Sequence, residues 1–147
     1  MELKFSKVRL VKSPIKAHET DAGIDFFIPD DYPDTEILPG NSALIPLGIQ
    51  VCLPKHYALV FFNKSGVAAR LHLLVGSCVI DEGYQGELIL NLNNVSTVPA
   101  IVHPGDKIIQ GLLIPVPEVT LKQVFLDKLY EDGRSDRGAG GFGSTGN

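Results

Sequence analysis

The stretch that decides the fold is LHLLVGSCVIDEGYQGELILNL, residues 71–92. Two apolar runs, Leu71–Ile80 and Leu88–Leu92, flank a heptad of turn-forming and polar residues, Asp81–Glu87. Apolar runs on either side of a segment rich in glycine and acidic residues are typical of strands joined by a turn. The stretch therefore predicts a long β-hairpin.

The rest of the chain repeats this pattern of short apolar runs broken by Gly, Pro and Asp. Short strands rich in Val, Ile and Leu and separated by turns favour an all-β sandwich or barrel. Only Ser65–Arg70 is suited to a helical turn or two, and long helices are not indicated. Outside the hairpin, the predicted extended segments are residues 3–10, 24–28, 43–53, 57–62, 108–116 and 119–125.

Length and composition indicate a single folded domain of 147 residues with a substantial core. A hydrophobic content of 44% excludes a disordered chain. No apolar run approaches the roughly 20 residues of a membrane span, and the N-terminus alternates instead of forming an apolar signal segment. A net charge of −4 without a basic stripe argues against nucleic-acid binding. We expect no membrane or nucleic-acid partner and a cytoplasmic location, or a nuclear one, or the host cytoplasm if the source is viral.

The cysteines and histidines show no metal-ligand spacing. Cys52 and Cys78 lie in apolar runs, which predicts two buried thiols in a reducing compartment.

The C-terminal residues 136–146 combine five glycines with one arginine, one aromatic and two adjacent hydroxyls. Arg137 offers a forked donor for phosphate, and Phe142 offers a flat apolar face for a base. Glycine lets the backbone, as at Gly143, approach an anion closely. Two interpretations remain open from the residues alone: a lid over a nucleoside phosphate, with Ser144 and Thr145 completing it, or a flexible tail.

Four further segments complete a recognisable pattern: residues 22–25 (AGID), 63–68 (NKSGVA), 76–87 (GSCVIDEGYQGE) and 105–110 (GDKIIQ). In this order, and closed by the glycine-rich tail, they resemble the five motifs of the trimeric deoxyuridine triphosphatases, or dUTPases. The resemblance covers residues 12–146. It implies a jelly-roll-like β-barrel of residues 1–135 with at most one short helix, and a glycine-rich C-terminal arm, residues 136–147, that serves as a lid of the same domain.

The resemblance also implies the activity. The family hydrolyses dUTP to dUMP and pyrophosphate by water attack on the α-phosphate, which limits uracil incorporation into DNA and supplies dUMP for thymidylate synthesis. Mg²⁺ is chelated by the triphosphate and is not held directly by protein side chains. Three copies of the chain share three active sites at their interfaces.

The hairpin is expected to hold the base, the sugar and the attacking water. Asp81 is the expected general base, although an aspartate at this place could also simply begin a turn. By resemblance, Tyr84 packs beneath the deoxyribose, and the hairpin backbone around Val79 binds the edge of uracil. Cys78 stands where many members of the family have glycine.

The other motifs are expected to bind the phosphates. By resemblance, Ser65 donates a hydrogen bond near the scissile bond, Gly66 keeps the backbone close, and Gln110 contacts the phosphates near the α position. Lys64 replaces the usual arginine, and either binds phosphate or braces a neighbouring group. Two aspartates are expected behind these residues: Asp25 towards the ribose or the metal's water shell, and Asp106 in orienting a cation or a turn. In the tail, Arg137 is expected at the γ-phosphate and Phe142 on uracil.

Two alternatives were weighed against this interpretation. A dCTP deaminase shares the fold but usually lacks the Arg-Gly-x-Gly-Gly-Phe-Gly lid. A regulatory protein partner, as some phage members of the family bind, would use a surface such as residues 128–134.

Overall fold

The computed structural model describes residues 1–131, 133, 135 and 138–140. The chain divides into two compact units, Met1–Pro117 and Glu118–Asn147. The predicted boundary at residue 135 between barrel and lid stays a prediction. No helix among the described residues is long and apolar enough to span a membrane.

The first unit is built almost entirely of antiparallel strands, as the sequence predicts. A single short helix, α1 (Ser65–Leu71), interrupts them. The strands in chain order are β1 (Lys4–Lys7), β2 (Ile24–Phe27), β3 (Thr35–Ile37), β4 (Ser42–Pro46), β5 (Ile49–Cys52), β6 (Tyr57–Asn63), β7 (Leu73–Ser77), β8 (Val79–Ile80), β9 (Ile89–Asn94), β10 (Ala100–Val102) and β11 (Lys107–Pro115).

Two larger sheets organise the unit. One has the strand order β2-β11-β6-β8, and the other has the order β4-β9-β7. Two-stranded ladders, β1-β5 and β10-β3, complete it. The all-β class and the jelly-roll-like fold are confirmed.

The apolar core is formed by buried side chains from nearly all of these strands. Phe26 on β2 meets Phe61 on β6 edge to face, with ring centroids 5.4 Å apart. Gly111 on β11 lies at this contact, and a Cβ there would come within 2.8 Å of Leu59. Close packing therefore fixes β6 between β11 and β8. Val79 lies on β8 and Gln110 on β11, while Asp81 and Lys64 come directly after β8 and β6.

The predicted hairpin exists, but its first arm is two strands. β7 pairs with β9, whereas β8 pairs with β6 in the other sheet. The arm breaks at a bulge between Val75 and Ser77, where a side chain on Gly76 would collide with Asn93. The run Cys78–Ile80 thereby leaves the β7–β9 pair and joins the opposite sheet.

Three other expectations need correction. The run 43–53 is two strands, because Gly48 turns the chain with a φ of +68°. Residues 119–125 form no strand, and Leu121 is 94% exposed. The strand predicted from the apolar residues of this segment is therefore wrong. Cys52 is exposed and Cys78 is half-buried, because Cys52 ends β5 on the face opposite the buried Val51.

The second unit contains one short 3₁₀ turn, Leu126–Lys128, among its described residues. Lys128 makes an exposed ion pair with Glu131 at 3.4 Å. The surface predicted for a regulatory partner, residues 128–134, begins here, and two of its residues, 132 and 134, lie outside the described part of the chain.

Candidate functional site

A cavity of about 210 Å³ lies where β8 enters the hairpin turn. It is lined by Ser77, Cys78, Val79, Ile80, Asp81, Tyr84 and Ile89. β8 is the edge strand of its sheet, so its outer edge can offer backbone donors and acceptors to a ligand. The structure therefore brings Val79, Asp81 and Tyr84 together around one opening.

Asp81 follows directly on the buried Ile80. Its carbonyl oxygen accepts a hydrogen bond of 3.0 Å from the N–H of Tyr84, which closes the turn. The turn is thus made by the backbone and not by the Asp81 side chain. The carboxylate is exposed at the cavity and is engaged by none of the described residues, so it is available to accept a proton from water.

Tyr84 is held across the same turn. Its hydroxyl donates to the carbonyl oxygen of Glu87 at 2.8 Å. The aromatic ring lies over Gly86, where a Cβ would come within 2.4 Å of the Tyr84 hydroxyl. The absence of a side chain at Gly86 therefore sets the position of the ring at the cavity wall.

Two glutamates anchor the turn to the rest of the fold, and the sequence analysis missed both. Glu82 accepts a hydrogen bond of 2.7 Å from the backbone N–H of His56, a residue with φ of +64°. Glu87 accepts from the backbone N–H of Gly48 and from Arg9, each at 2.8 Å. Gly48 and His56 flank β5, so the segment that carries Asp81 and Tyr84 is tied down at both of its ends. The partners in these contacts are 26 to 78 residues apart in the sequence, so no local sequence pattern predicts the contacts.

Cys78 occupies a half-buried position beside the cavity. Its carbonyl oxygen accepts a hydrogen bond of 2.7 Å from the N–H of Phe61, and its side chain packs against the core. The Cys78 side chain therefore takes up space at the cavity wall, at a position where many members of the resembled family have glycine and no side chain.

A second cluster forms where three of the predicted motifs meet. Asp25, only 5% exposed, receives Lys64 on its Oδ1 and Lys107 on its Oδ2, the latter at 3.1 Å. Burial raises the pKa of Asp25, but the hydrogen bonds from Lys64 and Lys107 lower it by more. The pKa of Asp25 therefore lies below its ordinary value. Lys64 braces this carboxylate, which is one of the two roles left open by the sequence.

Gln110 ties the same motifs together. It sits opposite Asp25 in the β11–β2 ladder, and its Nε2 donates to the carbonyl oxygen of Asn63 at 2.9 Å. Gly23 lies against the Gln110 side chain, and a Cβ there would come within 2.3 Å of Oε1. The glycine of the first motif therefore makes room for the glutamine of the fourth.

Ser65 and Gly66 begin α1, directly after Lys64. The carbonyl oxygen of Gly66 accepts from Nε of Arg70 at 3.2 Å, and the Arg70 guanidinium would lie 3.2 Å from a Cβ at Gly66. A side chain at Gly66 would therefore crowd this turn.

Asp106 organises a backbone turn. Its carboxylate accepts from the N–H of His103 at 2.8 Å, and its own N–H donates to the carbonyl oxygen of His103 at 3.1 Å. Its carbonyl oxygen accepts from the N–H of Ile28 at 2.9 Å. These contacts fix the start of β11, where Lys107 lies.

Within one chain, the Asp81 side of the cavity and the lysine cluster are separated along β6. Ile80 is the partner of Leu59, whereas Lys64 follows the last residue of the strand. Five residues of extended chain span about 16 Å. The structure therefore brings Lys64, Gln110 and Asp25 together, and separately Asp81 and Tyr84, but does not bring the two groups together in a single copy.

The predicted lid residues Arg137, Phe142, Gly143, Ser144 and Thr145 lie outside the described residues. Their expected roles stay predictions.

Comparison with known proteins gives a consistent result. A family model described as dUTPase matches residues 10–146. The chain belongs to the dUTPase family. The resemblance seen in the five motifs is confirmed, and with it the assignment as a dUTP diphosphatase, a hydrolase of nucleotide metabolism.

Individual relatives support the same placement. A deoxyuridine 5′-triphosphate nucleotidohydrolase of Gloeobacter violaceus is 38% identical over 90% of this chain and 88% of its own length. One of Mycolicibacterium gilvum is 36% identical over 99% of this chain and 97% of its own length.

Solved structures match as well. The dUTPase of Staphylococcus bacteriophage 80alpha with dUPNHPP matches at a TM-score of 0.86 and 26% identity over 99% of both chains. A mutant dUTPase from phage phi11 of S. aureus, described with a structural Mg(II) ion, matches at a TM-score of 0.74 and 25% identity, over 84% of this chain and 97% of that one.

Proposed function

We propose that this dUTPase hydrolyses dUTP to dUMP and pyrophosphate with Asp81 as the general base for water attack on the α-phosphate. The observation that carries the proposal is the Asp81 carboxylate, which lines the same cavity as Tyr84 and is engaged by none of the described residues. A carboxylate in this position can hold a water molecule and take its proton as the nucleophile attacks. Hydrolysis of dUTP limits uracil incorporation into DNA and supplies dUMP.

Uracil and deoxyribose are proposed to occupy the cavity. The outer edge of β8 around Val79 would pair with the edge of the base, and Tyr84, fixed by its hydrogen bond to Glu87, would leave no space for a 2′-hydroxyl. Mismatched donors and acceptors in such a site go unpaired, which can reject a wrong base by as much as about 10⁴–10⁵-fold. The side chain of Cys78 reduces the space available at the same wall of the cavity.

The triphosphate is proposed to meet Lys64, Ser65, Gly66 and Gln110. The lysine cluster supports this because one carboxylate and two ammonium groups leave a net charge of +1. The tail would complete the cradle, with Arg137 at the γ-phosphate and Phe142 on uracil. A chain that lacks the residues from Arg137 onward should therefore stay folded and lose most of its turnover; unfolding of that truncation would instead make the tail structural.

Mg²⁺ is proposed as the cofactor, held by the triphosphate. Among the described residues no group of three or more His, Cys, Asp or Glu could hold a metal ion. Both oxygens of Asp25 already accept from lysine, so Asp25 fits a supporting role behind the phosphates and not that of a direct ligand. When bound, Mg²⁺ supplies charge neutralisation on the phosphate oxygens.

A homotrimer with shared active sites is proposed as the working form. Two observations support association between copies. The cavity and the lysine cluster are separated along β6, and the outer face of sheet β4-β9-β7 exposes Leu44 (65%) and Ile89 (43%). Asn91, whose position opposite Leu44 places it on that same face, has a buried Oδ1 without a partner among the described residues. A second copy packed on this face would cover the apolar side chains and could supply the missing donor.

The enzyme is proposed to act in the cytoplasm, or in the nucleus or host cytoplasm. Phage dUTPases such as the 80alpha enzyme are described as controlling the transfer of virulence genes. A regulatory protein partner of this chain stays a prediction, and residues 128–134 are the surface predicted for it.

The experiment that tests the proposed base is pyrophosphate release by the Asp81→Asn variant. Loss of a general base should lower kcat by about 10²–10⁴-fold, while binding of a non-hydrolysable dUTP analogue is retained. The control is Asp21→Asn, which removes a carboxylate outside the cavity and should leave turnover unchanged. Wild-type turnover by Asp81→Asn would refute the assignment. The same assay with dCTP, dTTP and UTP tests the cavity, because the wild type should turn over dUTP alone.

A further inference from the structure

Lys107 opens β11 and received no role in the sequence analysis. Its Nζ lies 3.1 Å from Oδ2 of Asp25, while Lys64 holds Oδ1 of the same carboxylate. The three residues come from three different motifs, and the ladder between β2 and β11 together with the Gln110–Asn63 hydrogen bond keeps those motifs in place. One buried carboxylate is thus shared by two lysines.

The burial of Asp25 makes this sharing consequential. At 5% exposure, an ionised carboxylate must be paired, since an uncompensated buried charge is strongly unfavourable. A single lysine would satisfy that requirement and give a neutral pair. Such a pair offers little attraction to a triphosphate, because the charge of the lysine is already balanced by the carboxylate.

The second lysine changes the charge of the cluster. With Lys107 present, one negative and two positive groups sum to +1. An ammonium group has three donors, so Lys64 can keep one on Asp25 and direct the others elsewhere. Its side chain is 23% exposed and that of Lys107 is 42% exposed, which means that the cluster reaches the surface on its lysine side.

We propose that Lys107 is a positioning residue of the phosphate subsite: it neutralises Asp25, so that Asp25 orients Lys64 while the positive charge of Lys64 remains for the triphosphate. Lys107 acts through Asp25 and Lys64 and does not itself touch the substrate. This inference rests on the proposed role of Lys64 in binding phosphate.

The test is a double-mutant cycle on the full-length enzyme, measuring the Kd of a non-hydrolysable dUTP analogue. Lys107→Met should raise Kd by about ten- to a hundredfold, the effect of losing one hydrogen bond to a charged group. Lys64→Met should do the same. The double variant should bind no worse than Lys64→Met alone, because residues that act through one another are non-additive.

Three further measurements separate positioning from a structural role. Lys107→Arg should restore binding, because arginine keeps the charge. Lys107→Gln should keep a hydrogen bond to Asp25 and lose less stability than Lys107→Met, yet bind the analogue as weakly as Lys107→Met. The Kd for dUMP, which lacks the β- and γ-phosphates, should change much less in every variant. Lys7→Met, the same change on the exposed strand β1, is the matched control and should leave both Kd values unchanged.

The outcomes are distinguishable. Additive losses in the cycle would mean that Lys107 acts independently of Lys64, and would overturn the inference while leaving the role of Lys64 intact. Wild-type binding by Lys107→Gln would overturn the charge argument. Wild-type binding by Lys64→Met would overturn the proposed phosphate role of Lys64 and the inference with it, while hydrolysis of dUTP by the wild-type enzyme would still stand.

Discussion

Two aspartates of this enzyme differ in what surrounds their carboxylates, and their proposed roles follow from that difference. Asp81 is left without a partner by the described residues, whereas Asp25 is buried under two lysines. The two aspartates belong to the same residue type and have opposite environments. The exposed one can accept a proton, and the buried one can only organise its neighbours.

The lowered pKa of Asp25 makes stability depend on pH in a definite direction. A carboxyl group whose pKa is lower in the folded state contributes stability that is fully present above its unfolded pKa, near 3.8, and is lost as the pH falls through the folded pKa. We expect Asp25→Asn to lower the free energy of unfolding at pH 7 by about 1–3 kcal/mol, because both lysines lose a charged partner.

Urea denaturation of wild type and Asp25→Asn at pH 7 and at pH values below 3.8 measures this effect. The difference in stability between the two proteins should shrink as the pH falls through the acid range. An equal difference at every pH would show that the ionisation of Asp25 does not contribute to it. Asp21→Asn, which removes a carboxylate that accepts from the exposed N–H of His18, is the control.

At the level of elements, the turn between β8 and β9 owes its shape to neighbours that are distant in the sequence. Glu82 and Glu87 hold it against the turns that flank β5, and Tyr84 closes it internally. The segment is therefore a fixed support for Asp81, even though it is exposed and lacks regular structure.

Glu82→Ala removes the acceptor for the N–H of His56, whose backbone lies in the left-handed region. We expect kcat for dUTP to fall with a smaller change in KM, because Asp81, the proposed general base, is the adjacent residue. Loss of one hydrogen bond should also lower stability by about 0.5–1.5 kcal/mol. Steady-state kinetics and thermal unfolding check the two effects.

The conservative variant gives the control for this prediction. Glu82→Gln retains a carbonyl acceptor and should keep most of the wild-type kcat. If Glu82→Ala loses stability but keeps kcat, the contact supports the fold without positioning Asp81. If Gln is as damaging as Ala, the charge of Glu82 matters and the hydrogen bond does not explain the effect.

The sequence predicted the elements that local pattern controls. The short strand before Pro29, the helix at Ser65 and the turn at Asp81–Glu87 follow from alternation and from turn-forming residues. The break at Gly48 and the departure of β8 from the hairpin depend on which strands become neighbours, and a single apolar run does not carry that information. The prediction of a strand at residues 119–125 was wrong for the same reason, since an apolar run forms a strand only where it can pair with the edge of a sheet.

The candidate site was predictable to a similar extent. The five motifs pointed to Asp81, Tyr84, Lys64 and Gln110 by resemblance. The structure shows the surroundings of all four residues. Lys107 and Glu82 were missed, because their partners lie 82 and 26 residues away and neither residue type is unusual at its place. Only the folded arrangement shows the contacts of Lys107 with Asp25 and of Glu82 with the backbone of His56.

At the scale of the whole molecule, one copy of the chain carries two separate groups of proposed site residues, one with Asp81 and one with Lys64. Ile80, next to Asp81, pairs with Leu59 on β6, and Lys64 lies five residues farther along the chain, about 16 Å of extended strand. We therefore expect the proposed base and cavity of one copy to work with the proposed phosphate-binding cluster of another. The exposed apolar face of sheet β4-β9-β7 provides a surface for such an assembly.

The most direct test of this claim is dUTP hydrolysis by a co-expressed mixture of Asp81→Asn and Lys64→Met chains. Each variant alone should be strongly impaired. In random trimers formed from equal amounts, about a quarter of the sites would combine an intact Asp81 with an intact Lys64 from a different copy, so about a quarter of wild-type activity should return. A mixture no more active than the separate variants would contradict the account, because it would place both halves of each site in one chain.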